Sequence, residues 1–382
     1  MPLSLHKIVF YVLLIGVVTW ACVNPIRDFV QIDATSFTTI EADISDDPEL
    51  SKVRLTSSSN RLTSQLALPI SKAIVYVTDQ NGVKTNFTEG IPLGTYFPPS
   101  GFRGVVGSTY KLYVKMLMGQ TYESTAETMR AVPEIENAIT RFETFEQYDR
   151  VDVRRAGFSV YLDFKDTPAE GDFYLWNWKH FEKIGLCATC TDGGKFDFKK
   201  LDCVQPKIPT DVILNYMCDG NCWDITTNND LNVFSDVLTN GQRVVGRRVA
   251  RIPFDNFTPY YFRLEQRSIT KNAFAFYQSL ISQVQSSGSL FDVPAETRFS
   301  LNIKSLTTPS ERVLGIFNVF SVRKKIFIID RSKNIPVGEL PIIPIIPGET
   351  FACPPGSVGC QDKVPCIESP TRTKITPEGW VF

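Results

Sequence analysis

Nine cysteines in a chain of 382 residues are distributed so unevenly that they limit the fold before any secondary structure is considered. Cys22 stands alone at the end of an N-terminal apolar run. The other eight form two groups: Cys187, Cys190, Cys203, Cys218 and Cys222 in the centre, and Cys353, Cys360 and Cys366 near the C-terminus. In an oxidising compartment an even number reads as a disulfide framework, here of up to four bridges among 105 pairings. Five and three are both odd. If all eight pair within the chain, at least one bridge must therefore join the tail to the central segment, closing a loop of well over a hundred residues. Such a bridge is worth ~4–5 kcal/mol in the chain-entropy account, although measured gains are often smaller. The rival reading is zinc, because the Cys187–Cys190 and Cys218–Cys222 spacings resemble ligand pairs. Export would favour disulfides; a reducing compartment would favour the metal.

The N-terminus bears on that choice. His6 and Lys7 precede an apolar run from Ile8 to Val18. This run is shorter than the ~20 residues a membrane-spanning helix needs and matches the ~7–15 of a signal-peptide core. Thr19-Trp20-Ala21-Cys22 follows. A small residue before a cysteine at this place resembles the lipobox of bacterial lipoproteins, with Thr19 where leucine is usual. The expectation is a leader over 1–21, a lipid-modified Cys22, and a tether over 22–36.

Composition is that of a globular body with a real core, 43% hydrophobic and 21% charged. A net charge of -1 gives no electrostatic case for nucleic acid or for an anionic membrane surface. The 27 phenylalanines, with many Thr and Val, favour strands. Ser71 to Thr78 alternates and meets Val83 to Thr88 across Asn81-Gly82, a strong hairpin signal because both turn residues tolerate positive φ. Tyr110 to Lys115 alternates again, Met118-Gly119 turns, and Gln120 to Ala126 pairs back. These signals predict an immunoglobulin-like β-sandwich over 37–131. Val132-Pro133 then opens a larger β-rich domain over 132–335, with strands at Gly157 to Phe164 and Asp172 to Trp178. The composition of 185–222 reads as a disulfide-stapled insertion. Phe276, Tyr277, Leu280, Ile281 and Val284 recur at helical spacing, predicting one helix over 270–287 capped by Thr270. Leu314 to Ile329 reads as one or two central strands. The Pro- and Cys-rich tail, 336–382, is expected to drape over the body without regular ladders. The fold class is mainly β.

Catalytic signatures are absent. There is no Gly-x-Ser-x-Gly, His-Glu-x-x-His, Gly-x-x-x-x-Gly-Lys or Gly-x-Gly-x-x-Gly pattern. His180 is the one imidazole beyond the leader, and a lone histidine beside an aromatic strand is more often structural than a base. Asp163 and Asp166 flank a turn and are candidate paired acids; the plainer reading is solvated turn residues that accept nearby amides. Tyr174, Trp176 and Trp178 alternate onto one strand face. Exposed, with Trp223, they would offer a stacking platform or partner surface; buried, they are core, which large aromatics favour. No metal site and no cofactor are expected.

Taken in order, "SKAIVYVTDQNG", "GTYFPP", "GSTYKLYV", "GQTYESTAETM", "VPEIE", "VYLDFKDTP", the Cys222-Trp223 pair, the long "YYFRLEQRSITKNAFAFYQSLISQVQSSGSLFD" segment, "VLGIFNVFSVRKKIFI" and "TPEGW" resemble the domain-of-unknown-function 4249 family of Bacteroidota lipoproteins. The resemblance covers nearly the whole chain after Cys22 and rests on the order of segments. It implies a cell-envelope location, an outer-membrane bilayer held through N-terminal acyl chains, and a neighbouring gene for a TonB-dependent β-barrel transporter. It brings no ligand or activity. The residues after Cys22, Val-Asn-Pro-Ile-Arg-Asp, lack the acidic cluster that marks surface export, so the cell surface and the periplasmic face both stand open. The expected role is a non-enzymatic accessory subunit, against an envelope hydrolase acting on carbohydrate or peptide and a surface adhesin. If Cys22 is the acylated first residue of the mature chain, Cys22→Ser releases the protein from membranes or leaves it unprocessed. An unmodified Cys22 thiol by intact mass spectrometry overturns that assignment.

Overall fold

A computed structural model describes residues 37–58, 67–148, 152–228, 230–285, 299–338, 349–351 and 363–381. The leader, the tether, Cys22, Cys353 and Cys360 lie outside the described residues. The described chain is mainly β with a single α-helix, and no helix among these residues is long and apolar enough to cross a membrane.

The first unit is sandwich-like. Thr38–Ser45 pairs antiparallel with Lys52–Ser57, and Ile74–Asp79 sits between Lys84–Glu89 and Thr109–Lys115. Asn81-Gly82 makes the expected hairpin, with Gly82 at φ +79°. The alternation read from the sequence turns Ile40, Ile44, Val53 and Leu55 from one side, and Val75, Val77, Leu112 and Val114 from the other, into one core. Two segments from far downstream belong to this unit. Ile303–Ser305 pairs with Thr121–Ser124, and the first half of Leu314–Ile329 runs parallel to Thr38–Ser45, register Thr39 to Leu314 through Ser45 to Phe320.

The second half of that 16-residue strand leaves the first unit and pairs antiparallel with Tyr260–Ile269, from Ser268 opposite Ser321 to Tyr260 opposite Ile329. Tyr260–Ile269 in turn pairs with Phe173–Lys183, whose outer edge carries Trp223–Thr227 and Asn232–Ser235. A three-stranded sheet of Ile135–Tyr148, Asp152–Lys165 and Arg243–Pro253 packs on one face, and Phe158, Leu162, Phe164, Trp176, Ile252 and Phe262 are among the residues that fill the space between. On the opposite face, near the junction of the units, lies the helix Lys271–Gln285. Thr270 caps it, its Oγ1 accepting from Ala273 N at 3.4 Å, and Ala273 and Phe276 pack on Leu175, Ile316 and Phe320.

The insertion is a small disulfide-knit lobe. Leu186–Cys190 pairs with Ile213–Asp219, Lys195–Asp197 with Asp202–Val204, and Cys187–Cys218 and Cys190–Cys203 bridge within it. The link from tail to centre is Cys222–Cys366, 144 residues apart. The tail corrects an expectation, for it does form ladders: Glu349–Phe351 and Lys363–Pro365 run parallel to Ile213–Asp219, and Arg372–Thr373 pairs with Trp223–Asp224. These pieces are two or three residues long. Pro365 ends its strand, a place where a missing N–H is tolerated.

Gly315 marks the tightest passage. Its φ is +96°, and a Cβ there would lie 2.1 Å from the Ile40 carbonyl oxygen. Gly315→Ala is expected to lower the unfolding free energy by about 2 kcal/mol or more, since left-handed strain alone costs ~1–3 kcal/mol and the backbone clash adds to it. Denaturant titration measures the loss; an unchanged midpoint would contradict the close approach.

Candidate functional site: a cleft beside a free strand edge

Arg243–Pro253 pairs on one side only; among the described residues no strand covers its other edge. The sequence RVVGRRVARIP shows how it is placed. A bulge in its pairing with Asp152–Lys165, between Val160 and Tyr161, sends both Val249 and Ala250 into the core and leaves Arg248 opposite Tyr161 and Arg251 opposite Ser159. Bulges re-aim side chains in this way, often near sites. Beside the free edge lies a cleft of about 480 Å³, lined by Trp178, Asp230, Arg248, Arg251, Leu280 and Ile281 among others.

Each wall is fixed from below. Asn228 Oδ1 accepts from Trp178 N at 3.0 Å, and Asn228 Nδ2 donates to Asp230 O at 2.9 Å, which pins the turn that carries Asp230. Asn232 Nδ2 donates to Arg248 O at 2.9 Å, taking one carbonyl of the otherwise open edge. Arg247, one position before, turns inward: Nη2 donates to Asn232 Oδ1 at 2.6 Å, and its guanidinium stacks 5.4 Å from the Trp176 ring. On the outer sheet face Glu143 accepts from Ser159 Oγ at 2.6 Å and Tyr161 Oη at 2.5 Å. Those bonds, with the Arg248 and Arg251 charges, hold its carboxyl below the ordinary range. The cleft thus offers an indole, cationic groups, one exposed carboxylate and an edge strand that no other described strand covers, a set suited to binding an extended or acidic ligand.

The residues singled out from the sequence scatter. Tyr174 and Trp176 are core, fully buried; Trp178, half-buried, alone of the three reaches the cleft. Trp223 is buried too, its ring 5.8 Å from Trp380 of the tail, so it is no contact residue. His180 lies flat on Tyr260, centroids 3.6 Å apart, with Nδ1 2.8 Å from Tyr261 O and Nε2 3.0 Å from Glu182. Both ring nitrogens are engaged. Asp163 lies within the strand Asp152–Lys165 rather than in a turn, and accepts from Gly246 N at 2.8 Å across a bulge in the pairing with Arg243–Pro253. Asp166 is buried rather than solvated, receiving Tyr174 Oη and, at 3.0 Å, Gly241 N. Cys187, Cys218 and Cys222 bring their sulfurs within 4.8 Å of one another, a spacing a metal could use, but each is tied into a disulfide and offers no thiolate. Arg248, Arg251 and Asp230 are not among the residues the sequence points to; RVVGRRVARIP alternates Val and Arg but carries no mark of which edge it leaves uncovered.

Burial, reinforced by Asp172 and Asp236, raises the Asp166 carboxyl above its ordinary value of 3.8. The folded state then prefers the protonated form. Its contribution is fully present below 3.8 and is lost as pH rises through the raised value. Wild type is therefore expected to lose stability relative to Asp166→Asn as pH climbs out of the carboxylate range toward neutrality. Paired denaturant curves across that range test this; a constant gap between the two proteins contradicts it.

No curated protein matches the chain. The family described as Domain of unknown function (DUF4249) matches residues 26–326, most of the sequence, and the chain belongs to that family.

Proposed function

We propose that this protein is a lipid-anchored cell-envelope subunit of the outer membrane that works by contact rather than by catalysis, with a TonB-dependent β-barrel transporter as its partner. The observation that carries the contact reading is the free edge of Arg243–Pro253 opening on a cleft with Trp178, Arg248 and Arg251. An unpaired edge with an aromatic wall suits an added strand: main-chain bonds give affinity and alternate side chains give specificity. Charges on an edge strand also deter indiscriminate pairing, and that plainer role is compatible with a selective one. The commitments of His180, Asp163 and Asp166 to internal partners support a binding role over hydrolysis. Anchorage at Cys22 would confine the protein to two dimensions, where a modest interface is well occupied through raised effective concentration.

The test is a C-terminally tagged protein extracted from native outer membranes in mild detergent. A β-barrel transporter should co-purify. Joint Arg248→Glu and Arg251→Glu should reduce its recovery at least about tenfold, as expected when hot-spot arginines are reversed. Recovery of the protein alone, with turnover of a polysaccharide or peptide that a carboxylate substitution abolishes, would overturn the proposal in favour of an enzyme.

A further inference from the structure

Strand register places a set of exposed apolar side chains at one end of the first unit, the end where the described chain begins. Phe37 N donates to Ser58 Oγ at 2.6 Å, Thr38 lies opposite Ser57, and Ser57 lies opposite Leu68. One level in, Leu55 N donates to Gly94 O at 2.8 Å, so the loop bearing Ile91 and Leu93 flanks the same edge. On the other side of the sandwich, Thr38 Oγ1 is 3.4 Å from Tyr122 Oη, and Tyr122 pairs with Val114. The Leu117-Met118 turn therefore projects past Thr38, with Ile74, opposite Lys115, beside it.

Leu68, Ile74, Ile91, Leu93, Leu117 and Met118 are all exposed, Ile91 to 92% and Met118 to 88%. The opposite end of the unit, at Ser45 and Gly104, abuts the rest of the molecule through the long strand. Exposed Lys72 and Lys115 stand among the apolar loops, able to lay their stems on apolar surface with the ammonium in the headgroups. Glu89, also here, keeps its carboxylate near the surface, where it accepts from Lys72 N and Gly94 N, each at 2.9 Å.

We infer that this end rests on the lipid surface, with Ile91, Leu93, Leu117 and Met118 entering the interface of the bilayer that the anchor holds. The inference rests on the proposed acylation of Cys22 and deepens it. Fourteen residues, 23–36, lie between Cys22 and Phe37. Such a length reaches at most about 50 Å, and about 20 Å as a flexible coil, so it keeps Phe37 and the loops beside it close to the membrane. Apolar loops with basic neighbours are the composition of an interfacial surface, buried ~5–10 Å at the boundary of headgroups and acyl chains. A bilayer is favoured over a protein partner because the tether delivers this end to lipid.

The test uses the full acylated protein in phosphatidylethanolamine/phosphatidylglycerol vesicles, with or without brominated acyl chains. Ile91→Trp and Met118→Trp are compared with Ile375→Trp, an exposed tail position near the far end of the molecule, each read against the parent tryptophan emission. The added emission of the first two should be blue-shifted and lost in brominated vesicles; that of Ile375→Trp should persist. Flotation reports the anchor separately. Flotation with no selective quenching overturns the lipid contact and leaves the anchor standing, whereas loss of flotation overturns both. A blue shift that appears only when outer-membrane protein is added assigns the surface to a protein partner and overturns the inference.

Discussion

One strand shared by two sheets is the constraint on which the rest of the molecule depends. Leu314–Ile329 closes the first unit with its leading half and the second with its trailing half, changing from parallel to antiparallel partners near Phe320. Thr39 meets Leu314 across 275 residues, so the first unit is complete only after nearly the whole chain has been made. Closing so long a loop costs entropy that grows only slowly with length, but it must be met before the contact repays it. Continuous burial along the leading part of the strand supplies that return: Phe317, Val319 and Phe320 are fully buried, Ile316 and Val322 nearly so. Gly315 permits the parallel pairing to start, because any side chain would strike the Ile40 backbone.

The same strand organises a polar seam. On the helix side of the sheet Asp43 of the first unit accepts from Asn318 Nδ2 at 3.3 Å, and Arg267 of the second donates to Glu265 Oε2 at 2.5 Å while its guanidinium sits 4.5 Å from the Phe320 ring. Burial works to raise the Glu265 carboxyl, yet the Arg267 charge and bond hold it below the ordinary range; Asp43, dominated by burial, is raised. Buried charges of this kind are weak sources of net stability, and removing one partner is costly. Their value here is positional. Arg267 and Glu265 share one strand and move together. What spans the two units is the Asn318–Asp43 hydrogen bond and the attraction between Arg267 and Asp43, and a slide along the strand weakens both, so the seam favours one register where apolar packing alone would tolerate sliding.

How much of this was legible in the sequence follows the range of the forces involved. Asn81-Gly82, the Tyr110–Lys115 alternation and the Thr270-capped helix are local, and each formed where its residues pointed. The odd cysteine counts implied a bridge from tail to centre, and Cys222–Cys366 is one, because parity needs no geometry. Pairing between distant segments was not legible: nothing in Ile303–Ser305 or in the tail names its partner strand. The aromatic stripe was ambiguous for the same reason. Alternation put Tyr174, Trp176 and Trp178 on one face, but which of them lay under the three-stranded sheet depended on where that sheet ended. Arg248 and Arg251 escaped notice because an edge is defined by a missing neighbour, and absence leaves no local mark.

The long strand also sets the distance between the two surfaces proposed to matter. Its first residue lies level with Thr39, at the end where the described chain begins. Lys325 lies level with Leu264 and Trp178, beside the cleft. Eleven residues at ~3.3 Å each put the cleft roughly 35 Å from the tether end, beyond the headgroup layer if that end rests on lipid. Attachment through the N-terminus alone would not fix the orientation of the cleft. Lipid contact by the loops around Ile91 and Met118 would remove most of that freedom and hold the free edge of Arg243–Pro253 at a fixed height. For a subunit that binds a membrane-embedded partner, such pre-orientation lowers the entropy lost on association without adding a contact at the interface itself. On this reading the apolar end and the cleft are two parts of one device, and the shared strand is the spacer between them.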